Sequence, residues 1–194
     1  MKLFLAQNIT YSINENKLFH NLSFDVNSGE GLHIKGGNGS GKSTLLRIIL
    51  GITSPSKGLI QSFDHDLKIS YLGHKNAIKN YLTPIENLKL LFSGDDLNIA
   101  FEWLNKFGLS HVQDELTASL SFGQQKKLAL IRVLAQSSDL LILDEPFVGL
   151  DQATADQLNS FLAQKISQNA GLILTSHITP MIDCAVLDLG AKNA

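Results

Sequence analysis

The sequence predicts an α/β fold with an inserted helical subdomain, and three observations carry this prediction. Short apolar runs typical of strands alternate with helical stretches along the chain. A glycine-rich loop joins one of these runs to a helical stretch. Between the predicted strand that ends at Leu72 and the one that begins at Leu140, nearly seventy residues show helical patterns only. That length exceeds a single crossover between strands, so we expect a helical insertion.

Six runs have the apolar, β-branched character of strands. They are residues 22–26, 31–35, 68–72, 140–143, 171–175 and 185–189. At 194 residues, with 44% hydrophobic and 18% charged residues, the chain is long enough for one domain with a substantial core. We therefore expect a single domain built around these strands.

Capping signals place two helices early in the insertion. Thr83-Pro84-Ile85-Glu86 has the form of a capping box, which predicts a helix from Pro84 to about Phe92. Asp95 and Asp96 can cap a second helix, whose apolar residues recur at helical spacing. These apolar residues are Leu97, Ala100, Phe101, Leu104 and Phe107. We expect its aromatic residues to pack in the core; alternatively, an exposed part of this surface binds a partner helix.

The glycine-rich loop contains the complete phosphate-binding pattern G-x-x-x-x-G-K-S, followed by a predicted helix over residues 42–50. Its predicted ligand-binding residues are Gly36, Gly37, Asn38, Gly39, Ser40, Gly41, Lys42, Ser43 and Thr44. Small residues let backbone amides wrap a triphosphate, and the helix directs its positive end at it. Lys42 would lie between the β- and γ-phosphates, and Ser43 would offer its hydroxyl to Mg²⁺. The alternative is a glycine-rich turn that only joins strand to helix.

A second motif is the apolar run 140–143, which ends in Asp144 and Glu145. This pattern has the form of a Walker B strand. It predicts that Asp144 holds Mg²⁺ through water and that Glu145 orients and deprotonates the water that attacks the γ-phosphate. A strand followed by a solvated acidic turn would look similar. The phosphate loop about a hundred residues earlier favours the catalytic interpretation, because Mg²⁺ needs both a hydroxyl and a carboxylate.

The third motif is Leu120-Ser121-Phe122-Gly123-Gln124, which opens a helical stretch through Ala135. By itself, the pair Ser121 and Gln124 indicates an ordinary capping box. Together with the other two motifs, this segment resembles the LSGGQ signature of ABC ATPases, with Phe122 in place of the first glycine.

The resemblance extends over nearly the whole chain and implies a P-loop NTPase fold of the ABC ATPase type. Such a fold has a RecA-like mixed-sheet core with an antiparallel β edge. It implies a single domain over residues 1–194, with 1–72 and 138–194 as the nucleotide-binding core and about 73–137 as the helical signature subdomain. The expected cofactors are ATP and Mg²⁺.

The family resemblance also implies a head-to-tail homodimer in which two ATP molecules lie between the chains. Ser121, Gly123 and Gln124 would then contact the nucleotide of the partner chain in trans. Asp151, in Gly149-Leu150-Asp151, is similar to the D-loop aspartate.

Two further residues match family positions. His177 follows the predicted strand 171–175 and resembles the switch histidine, which would act with Glu145 and Lys42 in catalysis. Tyr11 lies where such proteins carry an aromatic residue that stacks on adenine. A tyrosine in a β-strand needs no ligand, and packing within the fold is the alternative for Tyr11.

One departure from the usual ABC ATPase pattern indicates a particular subfamily. His74 stands where most ABC ATPases have the glutamine of the Q-loop, within a Gly-His, Ile-Lys and Leu-Thr-x-x-Glu-Asn-Leu string over residues 73–88. This string resembles the ATP-binding subunit of the cytochrome c maturation system, the CcmA family. Neutral imidazole is a poor ligand for Mg²⁺. We therefore expect His74 to act in coupling or in hydrogen bonding to water; alternatively, it is a simple loop residue.

The resemblance to the CcmA family implies an energy-coupling ATPase in c-type cytochrome biogenesis, acting in haem export or delivery or in release of a haem chaperone. It implies an integral membrane permease partner of the CcmB type and an indirect link to the haem chaperone machinery. The expected location is peripheral, at the cytoplasmic face of the inner cell membrane. An alternative is the ATPase subunit of a different small ABC exporter.

Composition and single residues disfavour several other classes of protein. A net charge of −2 and a pI near 6.3 give no basic field for nucleic acid, which disfavours a soluble ABC ATPase that acts on nucleic acid. The single cysteine, Cys184, excludes an intrachain disulfide, and no apolar run approaches the roughly 20 residues that span a bilayer. A module that senses ATP without hydrolysing it is disfavoured by the pair Glu145 and His177.

Overall fold

The computed structural model describes residues 1–13, 16–63, 66–177 and 179–190. Its strands are β1 (Lys2–Ile13), β2 (Asn16–Asn27), β3 (Gly31–Lys35), β4 (Lys57–Ser62), β5 (Ile69–Leu72), β6 (Leu140–Asp144), β7 (Gly171–Thr175) and β8 (Ala185–Asp188). Its α-helices are α1 (Lys42–Ile49), α2 (Pro84–Lys89), α3 (Gly94–Lys106), α4 (Phe122–Leu134) and α5 (Gln152–Ser167). Short 3₁₀ helices cover Ser110–Val112 and Thr117–Ser119. The predicted α/β fold is confirmed, and each of the six predicted strands is present.

Five strands form a parallel sheet in the order β5-β6-β7-β3-β8. In a parallel sheet all carboxyl ends meet at one edge, and the loops that leave that edge lie side by side. The loops after β3, β6 and β7 therefore converge. The phosphate loop, Glu145 and His177 lie on these loops, and Asp144 is the last residue of β6.

The other three strands form an antiparallel sheet in the order β2-β1-β4. Strands β1 and β4 are not among the predicted runs. The pairing of β1 is irregular between Ala6 and Ile9, which breaks the period-two pattern by which a strand is recognised. In β4, five of six residues are exposed, so its sequence carries no apolar alternation.

The segment between β5 and β6 contains helices only, as predicted. The capping box at Thr83 is confirmed, because its hydroxyl accepts from the amide of Glu86 while the Glu86 carboxylate accepts from the amide of Thr83. Helix α2 ends at Lys89, earlier than predicted. The prediction that Asp95 and Asp96 cap α3 is wrong: the N-cap is Ser93, and both aspartates lie in the first turn. There their charges still favour the positive end of the helix.

The parallel sheet is covered on both faces by apolar residues. On β6, Leu141 and Leu143 belong to the cluster on the helical side, whereas Leu140 and Ile142 belong to the cluster that includes β1 and α1. The expected core position of the α3 aromatics is confirmed for Phe107, which is buried in the first cluster. Because both faces are covered, polar groups of the central strands can reach solvent only at the strand ends.

Candidate active site

A cleft of about 620 Å³ lies at the carboxyl edge of the parallel sheet. Most of the residues predicted to bind or hydrolyse a nucleotide line it. These are Gly37, Asn38, Gly39, Ser40, Gly41, Lys42, Ser43, Thr44, His74, Asp144, Glu145 and His177. Gly36 lines an adjoining hollow with Gly37 and His177. Segments up to 140 residues apart in the sequence thus meet at one place.

The glycine-rich loop ends at Gly41, the N-cap of α1. Gly39 and Gly41 have φ angles of 80° and 95°, in the left-handed region that favours glycine. A Cβ at Gly41 would also lie 3.2 Å from the ring of Phe19. No side chain caps α1, so the amides of its first turn are available to an anion in the cleft.

Lys42 is buried and reaches back across the loop. Its Nζ donates to the carbonyl oxygens of Gly36, at 2.8 Å, and Gly37, at 3.3 Å. The same ammonium lies 3.6 Å from Oε1 of Glu145. A cation is therefore held between the phosphate loop and the acid that follows β6.

Glu145 has a φ of 47°, which is unusual for a residue with a side chain and costs about 1–3 kcal/mol. Its Oε2 accepts from the amide of His177 at 3.3 Å, and its Oε1 lies 3.3 Å from Nε2 of His177. Oε1 is buried and accepts no hydrogen bond from the described residues. The carboxylate is thus oriented by Lys42 and His177 and keeps one oxygen able to accept a proton.

Asp144 is 1% exposed at the end of β6. Its Oδ1 accepts from the Thr175 hydroxyl at 2.6 Å, whereas Oδ2 is buried with no hydrogen-bond partner among the described residues. A hydroxyl and a carboxylate are oxygen ligands of the kind that Mg²⁺ takes. Ser43 and the free oxygen of Asp144, which line the same cleft, fit this ion.

The structure places Tyr11 outside the lining of the cleft. Tyr11 is opposite Phe19 in the β1–β2 pairing, and their rings stack with centroids 6.1 Å apart. Among the described residues of β1 and β2, the aliphatic Ile13 and Leu18 line the cleft. Tyr11 thus packs against Phe19 within the antiparallel sheet, and its stacking on adenine stays a prediction.

The signature-like residues also lie outside the cleft of their own chain. Ser121 and Gln124 form a reciprocal capping box, in which Ser121 Oγ accepts from the Gln124 amide at 3.3 Å and Gln124 Oε1 accepts from the Ser121 amide at 2.8 Å. Gly123 packs closely, since a Cβ there would lie 2.8 Å from the carbonyl oxygen of Gly149. Phe122, in contrast, lines the cleft.

Asp151 is the N-cap of α5 and also lies outside the cleft lining. Its carboxylate accepts from Nζ of Lys127 at 2.6 Å and from the amide of Thr154 at 2.8 Å. These hydrogen bonds, that from Lys127 first, hold the pKa of Asp151 well below its usual range. Asp151 therefore joins the start of α5 to the side of α4.

Sequence reasoning missed Lys126, which is 3% exposed and lines the cleft. Burial lowers the pKa of Lys126, and the charges of Asp144 and Glu145 oppose that shift. No local pattern marked it, because only helix packing turns the face that Phe122 and Lys126 share toward the cleft.

Two buried polar residues on the sheet were also missed. His33 Nε2 donates to the carbonyl oxygen of Ser176 at 3.0 Å, and Thr175 contacts Asp144. Each is a polar residue in an otherwise apolar strand pattern, which was the available signal.

Comparisons with known proteins agree with this geometry. Residues 19–148 match the family model described as ABC transporter. The chain is 39% identical over 173 residues to the cytochrome c biogenesis ATP-binding export protein CcmA of Idiomarina loihiensis, covering 82% of this chain and 78% of that protein. It is 36% identical over 187 residues to the protein of the same name from Escherichia coli K12, covering 91% and 90%.

The chain is also similar in structure to a cassette that was solved as a dimer. A dimeric ATP-binding cassette in a post-hydrolysis state, bound to ADP and Pi, superposes with a TM-score of 0.76 at 25% identity. The match covers 91% of this chain and 88% of that one.

Proposed function

Because the chain belongs to the ABC transporter family, and within it to the cytochrome c biogenesis ATP-binding export proteins of the CcmA type, we propose that it couples ATP hydrolysis to a transport step in c-type cytochrome biogenesis. The observation that carries this proposal is the convergence of Lys42, Glu145 and His177 on one cleft behind a phosphate loop. This is the constellation of an ABC-type ATPase.

The chain's own residues account for binding of the triphosphate. The loop and the first turn of α1 line the cleft, so their amides can bind phosphate oxygens, and the Lys42 ammonium would exchange its carbonyl partners for phosphate oxygens. Ser43 and Asp144 would hold Mg²⁺, which neutralises phosphate charge when bound.

Hydrolysis needs a water that is oriented and deprotonated. Glu145 Oε1 has a free acceptor position in the cleft, and His177 and Lys42 hold the carboxylate in place. Glu145 therefore accepts the proton of the attacking water. His177, half-exposed at the edge of the cleft, orients Glu145 and can donate to the phosphate.

The catalytic unit is proposed to be a homodimer in which Ser121, Gly123 and Gln124 contact the ATP of the partner chain. Two observations support this: the three residues lie at a helix start outside the lining of their own cleft, with Ser121 exposed, and a structurally similar cassette is dimeric. A helix start suits a γ-phosphate because its amides point outward. His74, which lines the cleft, is assigned to coupling between nucleotide and partner.

The partner in the membrane is proposed to be an integral permease of the CcmB type, with an indirect link to the haem chaperone machinery. No helix in the described ranges is long and apolar enough to cross a bilayer. The helical region exposes apolar side chains that suit such a partner, namely Tyr81, Leu90, Leu91 and Leu116. We place the chain at the cytoplasmic face of the inner membrane, with residues 73–137 as the coupling subdomain.

The test is made in a host strain whose own copy of the gene is replaced by a Lys42→Ala variant. We expect the c-type cytochromes, detected as covalently haem-stained bands in membrane fractions, to disappear, because the variant lacks the cation that holds the phosphates. The matched control is Lys57→Ala, which removes an exposed lysine at the start of β4. It should leave the bands at the level of the parent strain.

Immunoblots must show equal amounts of both variants. Unchanged haem bands in the Lys42→Ala strain would overturn the role in cytochrome c biogenesis. In that case the ATPase would serve a different small ABC exporter, which is the remaining candidate.

A further inference from the structure

Thr175 is a fully buried polar residue at the carboxyl end of β7. Its exposed fraction is 0%, and the other four residues of the strand are glycine or aliphatic. A buried hydroxyl costs free energy unless it is hydrogen-bonded, and valine would fill nearly the same volume without that cost. The hydroxyl of Thr175 therefore needs hydrogen-bond partners inside the protein.

The register of the sheet places this hydroxyl beside the two acids. Thr175 is paired with Asp144 in the β6–β7 ladder. Its Oγ1 donates to Oδ1 of Asp144 at 2.6 Å and accepts from the amide of Glu145 at 2.9 Å. That amide also contacts the Thr175 carbonyl oxygen at 3.2 Å.

The direction of these bonds follows from the donor count. A hydroxyl has one proton and two lone pairs, and an amide can only donate. The proton of Thr175 is therefore committed to Asp144, and a lone pair receives the Glu145 amide. The O–H···O distance is in the range of a charge-assisted bond to a carboxylate.

The result is an asymmetric carboxylate. Oδ1 of Asp144 is held by Thr175, while Oδ2 is buried and lacks a hydrogen-bond partner in the described part of the chain. A carboxylate that is fixed by one oxygen can rotate little about its side-chain bonds, so the second oxygen keeps a defined position.

We propose that Thr175 is a positioning residue, whose hydroxyl holds Asp144 so that Oδ2 is presented to the divalent cation that accompanies the triphosphate. This inference rests on the proposed function, because it assigns a role at the same site. Through its second bond, the hydroxyl also holds the turn at Glu145, whose φ of 47° needs support from neighbouring groups.

The test compares nucleotide affinity with and without the cation, using the fluorescent analogue N-methylanthraniloyl-ATP with the full chain. In Thr175→Val, which keeps the shape and the backbone carbonyl, the affinity gained on adding Mg²⁺ should fall about tenfold or more, the loss typical when a group that orients a metal ligand is removed. Affinity in EDTA should stay unchanged. Thr175→Ser, which keeps the hydroxyl, should recover most of the gain.

Thr10→Val is the matched control. Thr10 is another buried strand threonine, and its hydroxyl accepts from the Asn21 amide in the antiparallel sheet. Its loss should lower stability without changing the Mg²⁺-dependent gain. Thermal unfolding of each variant verifies that the protein is folded under the assay conditions.

Three results would overturn the inference: a full Mg²⁺-dependent gain in Thr175→Val, an equal loss of affinity with and without Mg²⁺, or no recovery in Thr175→Ser. If the unmodified protein shows no gain from Mg²⁺, the proposed ATPase function falls together with this inference. If the unmodified protein and Thr175→Val show the same Mg²⁺-dependent gain in affinity, only the role of Thr175 is overturned, and the proposed function stands.

Discussion

The carboxyl edge of the parallel sheet and the start of α4 both carry residues of the proposed reaction, but they are built in different ways. At the sheet edge, Asp144, Glu145 and Thr175 are buried and held by groups distant in the sequence. At the start of α4, Ser121 and Gln124 are held by each other, three residues apart.

This difference indicates which part of the proposed catalytic site a single chain completes by itself. At the sheet edge, contacts within one chain already orient the carboxylates around the cleft. At the start of α4, Ser121 is exposed and is held with Gln124 by local capping, which suits a surface that acts on another molecule. Substitutions should therefore affect chemistry at the sheet edge and association at the start of α4.

The largest effect is expected at the sheet edge. Glu145→Gln should lower the ATP turnover rate by about 10²- to 10⁴-fold, because the amide cannot take the proton of the attacking water. ATP binding should persist, since Lys42 and the loop are intact. A coupled assay of phosphate release and a nucleotide-binding assay measure the two quantities.

Glu102→Gln is the control, because it removes an exposed carboxylate from α3. Turnover by Glu145→Gln within a few-fold of the unmodified protein would contradict its role as base. It would favour a protein that senses ATP, in which Glu145 has a structural role only.

An intermediate effect is expected at the start of α4, where association can be tested apart from folding. In the Glu145→Gln background, ATP should produce dimers, and adding Ser121→Asp should keep the protein monomeric. Aspartate preserves the N-cap but places a negative charge against the γ-phosphate of the partner chain. Light scattering after size exclusion measures the mass.

The control at this position is Ser121→Thr, which keeps both cap and hydroxyl and should dimerise. Gly123→Asp is a poorer test, since a side chain there would meet the carbonyl oxygen of Gly149 in the same chain. Persistent ATP-driven dimers in the Ser121→Asp variant, with normal ATP binding, would exclude the contact in trans.

The smallest effect is expected at His33 on β3, which contacts the residue before His177. His33→Leu removes the buried hydrogen bond to the Ser176 carbonyl and should lower the free energy of unfolding by about 0.5–1.5 kcal/mol. Because Ser176 precedes His177, kcat should fall several-fold while KM changes little. Urea unfolding and steady-state kinetics provide the measurements.

His33→Gln can still donate a hydrogen bond and should recover most of both losses. If the two variants unfold at the same urea concentration and turn over ATP equally, the bond from His33 does not position the loop that carries His177.

Local patterns were sufficient for much of the fold. The capping boxes at Thr83 and Ser121 and the apolar strand before Asp144 depend on residues within a few positions of each other, and each was predicted correctly. Strand β4 was missed because its stability comes from pairing with β1, which leaves no apolar pattern in its own sequence.

The residues of the candidate site likewise fall into those that a local pattern predicts and those that tertiary packing places. The spacing within the phosphate loop and the acids at the end of β6 were recognisable, because the proposed phosphate and Mg²⁺ chemistry would restrict which residues can stand there. Lys126 and the contact of Tyr11 with Phe19 were not, since helix packing and strand register decide which side chains reach the cleft.

The sequence by itself therefore determined the motifs, the α/β pattern and the ligand class, because each depends on residue types at short spacing. The tertiary structure alone decided that Thr175 holds one oxygen of Asp144 and that Glu145 lies between Lys42 and His177. The physical reason is that these contacts depend on the parallel register of β6 with β7 and on the packing of the loops at the sheet's carboxyl edge, which bring together residues 31 to 103 positions apart that no local pattern relates.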